Sequence, residues 1–180
     1  ADRAHHLGDP DFVEVPTAEL LAEDRTREIV EAFDPERTLE TSAYGDPIAP
    51  PRDGGTQHIS VIDADGAAVA LTTTINLGFG SGLVVDGFGV ILNNEMDDFS
   101  AKPGVPNQFG LIGYEANAIA PGKRMLSSMT PILVTKDDQL RYVIGSPGGS
   151  RIITTVLPVL VNQVDHALPL RDAGAAPRAH

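Results

Sequence analysis

A period-two run closed by a tight turn constrains this chain more than any other feature. His58-Ile59-Ser60-Val61-Ile62-Asp63 alternates polar and apolar residues, Asp65-Gly66 follows, and Ala67 to Ile75 returns. Alternation puts successive side chains on opposite faces of a strand, and Asp-Gly is a strong hairpin signal. The pattern recurs as Pro131-Ile132-Leu133-Val134, the turn Lys136-Asp137-Asp138, and Leu140-Arg141-Tyr142-Val143-Ile144. Between the hairpins, Gly78-Phe79-Gly80-Ser81-Gly82 leads into an apolar run through Val90-Ile91-Leu92. Beyond Gly145-Ser146-Pro147-Gly148-Gly149-Ser150-Arg151, the segment from Ile152 to about Asp165 reads as a buried helix despite Pro158. Strands followed by a closing helix predict a mixed α+β layer fold.

Two composition regimes meet near residue 55. The first is charged and poor in β-branched residues. Within it, Thr17 to Phe33 reads as one amphipathic helix, with Thr17 as cap and Leu20, Leu21, Ile29, Val30 and Phe33 as its apolar stripe. Asp46-Pro47-Ile48-Ala49-Pro50-Pro51-Arg52-Asp53-Gly54-Gly55 is Pro-rich and then Gly-rich, the composition of a linker or an exposed loop. The second regime, from Thr56 onward, holds most of the core signals. No repeat, heptad or low-complexity tract is present.

Charge and composition exclude several classes. With 13 Lys and Arg against 25 Asp and Glu, the net charge is −12, a surface unsuited to a phosphate backbone, so no nucleic-acid partner is expected. Cysteine is absent, which removes disulfides, thiolate metal sites and a Cys nucleophile together. Ile152 to Val161 is the most apolar stretch and is far short of the roughly 20 residues of a spanning helix. None of His5, His6, His58, His166 and His180 shows a zinc-ligand spacing with a second His, so no metal or cofactor is expected. The Gly-x-Ser-x-Gly elbow of serine hydrolases is missing. No initiating Met and no basic-then-apolar leader appear at Ala1, as expected of a processed product or a piece of something longer.

The chemistry-bearing segments lie around Thr56. In Asp53-Gly54-Gly55-Thr56, a hydroxyl directly after a diglycine suits attack on the Gly55 carbonyl and intramolecular cleavage. Cleavage leaves Thr56 with an α-amine of reference pKa about 7.7–8.0, a base able to activate its own hydroxyl. The same residues also fit an ordinary strand start. Leu71-Thr72-Thr73-Thr74-Ile75-Asn76 returns beside Thr56 if the chain turns at Asp65-Gly66, and period two puts Thr74 and Asn76 on one face. Asn93-Asn94-Glu95-Met96-Asp97-Asp98 offers carboxylates for a cationic amine, or a solvated turn. Ser127-Ser128 offers hydroxyl donors for a carboxylate, or an ordinary loop. Pro147-Gly148-Gly149-Ser150 before a helix suits an oxyanion or a phosphate, or simply caps the helix; the Lys of a Walker loop is missing.

Together these strings resemble the γ-glutamyltranspeptidase (γ-glutamyltransferase) family of N-terminal-nucleophile hydrolases. The resemblance is carried by Leu92-Asn93-Asn94-Glu95-Met96-Asp97-Asp98-Phe99-Ser100, Leu126-Ser127-Ser128-Met129 and Gly145-Ser146-Pro147-Gly148-Gly149-Ser150-Arg151-Ile152-Ile153. Thr56-Gln57-His58-Ile59-Ser60-Val61 resembles the start of the family's small subunit, with Gln57 at a variable position. Ala1-Asp2-Arg3, Leu7-Gly8-Asp9-Pro10-Asp11-Phe12 and Val15-Pro16 resemble the end of its large subunit.

The resemblance implies an αββα sandwich, incomplete in this chain, with residues 1–55 ending the large subunit and 56–180 forming most of the small one. It implies self-cleavage between Gly55 and Thr56, with Thr56 as nucleophile, Thr74 as its hydrogen-bonding neighbour, and Gly148 and Gly149 as oxyanion donors. Asn76, Glu95 and Asp98 are then expected to hold the α-ammonium of a γ-glutamyl group, and Ser127 and Ser128 its α-carboxylate. Pro103 to Gly113, with Phe109, resembles the lid over that pocket. The implied partners are glutathione and other γ-glutamyl compounds, amino-acid or peptide acceptors or water, and the remainder of the large subunit. Export to the periplasm or medium is implied in the same way. A glutaryl-type acylase shares Thr56 and the oxyanion loop but needs no ammonium-binding carboxylates. An uncut, inert scaffold is the alternative outside enzymes.

Overall fold

A computed structural model of the chain describes residues 2–38, 40 and 55–178. The predicted linker from Asp46 to Gly54 and His180 lie outside the described residues. The chain forms two compact units, Ala1–Pro50 with Met96–Leu126, and Pro51–Glu95 with Ser127–His180.

The first unit contains α1 (Asp2–His6), α2 (Thr17–Leu20) and α3 (Glu23–Glu31), with single 3-10 turns at Glu95–Asp98, on the border of the units, and Glu115–Asn117. The single helix expected from Thr17 to Phe33 is broken. Ala22 is extended at φ −63° and ψ 144°, and its carbonyl accepts from the Thr26 N–H and hydroxyl. Glu23 and Asp24 thereby fall in a new first turn, where carboxylates meet the positive end of the helix dipole. Nor does Thr17 cap: Pro16 holds that position, and the Thr17 hydroxyl donates to the Val15 carbonyl. The apolar stripe stands in solvent, with Leu21 76% and Phe33 72% exposed.

Asp9 and Asn117 organise this unit. The Asp9 carboxylate is buried and accepts from the Arg124 backbone N–H at 2.8 Å, its Nε at 3.0 Å and a terminal nitrogen at 2.6 Å. That guanidinium also meets Asp11 at 2.5 Å. The pairing holds the Asp9 carboxyl well below the usual carboxylate range. Buried Asn117 donates to the Asp98 carbonyl at 2.7 Å and accepts from the Leu126 N–H at 3.0 Å. His5 stacks on Tyr114 with ring centroids 4.0 Å apart.

Among its described residues the second unit contains three antiparallel hairpins: β1 (Thr56–Ile62) with β2 (Ala68–Thr74), β3 (Val84–Val85) with β4 (Val90–Ile91), and β5 (Ile132–Lys136) with β6 (Gln139–Ile144). The first turn forms as the sequence predicts. Asp63 Oδ1 accepts from the N–H groups of Asp65 and Ala67, and Gly66 takes the left-handed φ of 89°. Asp137 and Asp138 turn the third hairpin at φ 53° and 56°, and a bulge at Val134/Thr135 shifts its register.

The helix expected after Arg151 is α4 (Ile152–Val164), followed by α5 (Leu170–Ala175). Pro158 lacks an N–H, yet Ile152, Val156, Val159 and Gln163 are buried along one stripe that spans it. Packing of that stripe outweighs the proline. The β1–β2 hairpin has two unlike faces. Ile59, Val61, Val69 and Leu71 form an apolar face about half exposed, whereas Thr56, His58, Ser60, Thr72 and Thr74 form a polar one.

Candidate active site

The β1–β2 register sets Thr56 directly opposite Thr74. Their hydroxyl oxygens are 3.0 Å apart. The Asn76 N–H donates to Thr74 Oγ1 at 2.8 Å, which leaves the Thr74 hydroxyl proton available to Thr56. Upstream, the Gly55 carbonyl accepts from the Ile75 N–H at 3.2 Å. The atom that would be attacked in self-cleavage therefore belongs to an already polarised carbonyl, beside a hydroxyl with a fixed partner.

The expectation that period two alone puts Thr74 and Asn76 on one face needs correction. β2 ends at Thr74, and Asn76 turns into the left-handed region at φ 73°, a conformation that Asn tolerates better than most residues. The turn, not the pleat, brings its N–H onto Thr74. The buried Asn76 side chain donates to the Asn94 carbonyl at 3.2 Å, and Asn94 Oδ1 accepts from the Leu77 N–H at 3.2 Å. Asn76 is thus tied to the segment that carries Glu95, whose own N–H donates to Asn93 Oδ1 at 3.0 Å. One carboxylate oxygen of Glu95 is withdrawn from solvent.

Ser127 and Ser128 lie in the irregular segment before β5. Ser127 Oγ accepts from the Met129 N–H at 3.0 Å, and the Ser128 carbonyl accepts from the Thr130 hydroxyl. Gly148 and Gly149 form the entrance to α4, at φ 140° and 53°, through a 3-10 turn at Gly149–Arg151. A side chain at Gly148 would be strained there.

Asp98 belongs to the first unit, where the half-buried Arg3 guanidinium interacts with its charge. Burial lowers the Arg3 pKa, and Asp98 opposes that shift. Pro103 to Gly113, the stretch that resembles a lid, is also in this unit. Asn107 Oδ1 accepts from the N–H groups of Phe109 and Leu111, its Nδ2 donates to the Asp97 carbonyl, and Phe109 is buried.

Sequence reasoning singled out no site role for two residues that contact this constellation. Arg3, beside Asp98, reads there only as part of the string resembling the large subunit's end. His58 reads as a strand residue without a metal-ligand partner, although its period-two position on the face of Thr56 and Thr72 was a usable signal.

Chain-wide comparison turns this constellation into a family assignment. The family model described as gamma-glutamyltranspeptidase matches residues 1–180. The chain belongs to the γ-glutamyltranspeptidase family. It is 50% identical over 181 residues to the glutathione hydrolase proenzyme of Escherichia coli (strain K12), covering all of this chain and 31% of that protein. It is 51% identical over 180 residues to the Pseudomonas aeruginosa glutathione hydrolase proenzyme, again covering all of this chain and 32% of the relative. The chain therefore spans about a third of the length of these curated relatives. Among solved structures, the gamma-glutamyltranspeptidase of Pseudomonas nitroreducens complexed with L-DON matches with a TM-score of 0.66 and 58% identity. That match covers 68% of this chain and 64% of the other. The mixed α+β fragment thus matches γ-glutamyltranspeptidase structures over 68% of its length.

Proposed function

We propose that this chain is the self-cleaving, catalytic segment of a γ-glutamyl transferase and hydrolase that acts on glutathione and related γ-glutamyl amides. The observation that carries the reading is the pairing of the Thr56 and Thr74 hydroxyls beside a Gly55 carbonyl held by Ile75. Thr56 Oγ1 adds to the Gly55 carbonyl carbon, the C–N bond breaks, and the hydroxyl proton passes to the released amine. Water hydrolyses the resulting ester, which frees a Gly55 carboxylate and restores the Thr56 hydroxyl beside the α-amine released in the first step. Residues 1–55 then end a large subunit, and 56–180 belong to a small one.

In turnover the α-amine accepts the Thr56 hydroxyl proton as the oxygen attacks the γ-carbonyl of the substrate. The N–H groups of Gly148 and Gly149 stabilise the oxyanion, a contribution of roughly 10²–10³ in rate per donor in comparable sites. The amine of the leaving group takes the proton, and a γ-glutamyl ester remains on Thr56. Water or an amino-acid or peptide amine then attacks that ester. Asn76, Glu95 and Asp98 hold the substrate α-ammonium, and Ser127 and Ser128 its α-carboxylate.

The half-exposed apolar face of Ile59, Val61, Val69 and Leu71 supports an αββα sandwich, because a further layer of the longer protein would cover it. Periplasmic or secreted location is part of the same proposal, tested by fractionating cells that make the longer protein.

Denaturing intact mass spectrometry after incubation near neutral pH tests the reading. Two fragments are expected, the larger beginning at Thr56, and Thr56→Ala is expected to stay whole. A wild-type chain that remains a single 19.0 kDa species overturns self-cleavage in this chain. Comparing γ-glutamyl with glutaryl anilides then tests the ammonium site; equal turnover of both would favour the acylase reading.

A further inference from the structure

We infer that His58 is a positioning residue that sets the strand carrying Thr56 against the strand that leads into the Gly148-Gly149 loop. The inference rests on the proposed roles of Thr56 and those glycines. His58 lies two residues beyond Thr56 on the same face of β1, opposite Thr72. Its Nδ1 is 2.8 Å from Thr72 Oγ1 and its Nε2 is 3.0 Å from Ser60 Oγ. Ser60 Oγ donates to the Val143 carbonyl of β6 at 3.3 Å.

A hydroxyl has one proton to give. Ser60 gives its proton to Val143, so it must accept from His58, which puts a proton on Nε2. In the neutral ring Nδ1 is then the acceptor for the Thr72 hydroxyl. The hydrogen bonds therefore run in one direction, from β2 through the imidazole to β6, and they fix the ring plane.

Gly145 shows the other half of the device. It follows Ile144, the last residue of β6, and precedes Gly148 by three positions. A Cβ built on Gly145 would clash with the His58 ring, 2.6 Å from Nε2 and closer still to Nδ1 and Cε1. The φ of Gly145 is not positive, so glycine is needed there for space rather than for conformation. The imidazole lies flat against the bare backbone at the point where the chain leaves β6 for the oxyanion loop. One side chain thus references the nucleophile's strand and the donors' loop to each other.

A double-mutant cycle on the full chain tests this, with two readouts: the rate of cleavage at Gly55–Thr56 and the amide ¹H–¹⁵N signals of Gly148 and Gly149. His58→Ala is expected to slow cleavage by about 10²-fold, the scale of a misplacement near 1 Å, and to move both amide signals. Gly145→Ala is expected to do the same by displacing the ring. The double variant is expected to be no slower than His58→Ala alone, since the added methyl then occupies vacated space. His58→Gln, whose amide can donate to Ser60, is expected to recover part of the rate, and it serves if His58→Ala fails to fold. Long-range ¹⁵N spectra are expected to show the proton on Nε2.

Losses that multiply in the double variant overturn the inference, as do Gly148 and Gly149 signals unmoved in both His58→Ala and His58→Gln. A wild-type chain that does not cleave defeats the earlier reading of Thr56, while the amide signals and the tautomer still decide the role of His58.

Discussion

Thr56 and Thr74 face each other across an antiparallel pair, with hydroxyl oxygens 3.0 Å apart. The contact follows from hairpin arithmetic: a turn at Asp65-Gly66 makes the first residue of β1 the partner of the last residue of β2. Thr74→Ala should leave the hairpin paired and Thr56 without this partner. The expected result is slower cleavage at Gly55–Thr56 by up to about tenfold, the scale of one neutral hydrogen bond. Thr74→Ser should retain most of the rate. Time-resolved intact mass spectrometry reads both.

Gly148 has φ 140°, a conformation almost closed to other residues. Gly148→Ala should cost about 1–3 kcal/mol of strain, or move the loop to relieve it. Cleavage and any turnover of a γ-glutamyl anilide should fall by about 10²-fold or more if the N–H donors move with the loop. The paired measurement is a thermal melt and a rate. A normal rate would remove the loop from the mechanism.

Asp9 supplies a pH prediction. Hydrogen bonds from Arg124 depress its carboxyl below the ordinary Asp value of 3.8. A depressed carboxylate stabilises the fold fully above the unfolded value and loses that contribution as pH falls through the folded one. The first unit should therefore hold its stability down to about pH 4 and lose it only in stronger acid. Asp9→Asn should be less stable at neutral pH and should show a flatter acid limb. Urea unfolding between pH 2 and 7, followed by circular dichroism, checks it.

Ile152 is 1% exposed at the first turn of α4, directly after the glycine loop. Ile152→Ala should cost about 2–5 kcal/mol, the range for removing a buried aliphatic side chain. Its thermal midpoint should fall further than that of Leu157→Ala, because Leu157 on the same helix is 57% exposed.

What the sequence disclosed depended on how local the cause was. The β1–β2 hairpin was readable because an Asp-Gly turn and alternation act within a few residues. The buried stripe of α4 was readable because its periodicity survives Pro158. The break at Ala22 was hidden, since Glu23 and Asp24 fit an exposed helix face as well as a new first turn. The turn at Asn76 was hidden because a strand pattern carries no mark of where φ changes sign. Among the site residues, the Thr56–Thr74 pair followed from the register, and Asn76 joined it by a different route from the one expected. The Asp9–Arg124 pair had no local signal at all: its partners are separated by 115 positions, and only the fold brings them together.

The first unit is woven from sequence on both sides of the Gly55–Thr56 bond. Scission there would change the order of a reaction. While the bond is intact, Asp9 finds Arg124 within one molecule, and the stability of the unit does not depend on how dilute the protein is. Once the bond is cut, the same carboxylate and guanidinium sit on separate chains, and dilution opposes their reunion. A step taken to free an amine would thereby convert a fold into a complex, with Asp9 and Arg124 among the contacts at its joint.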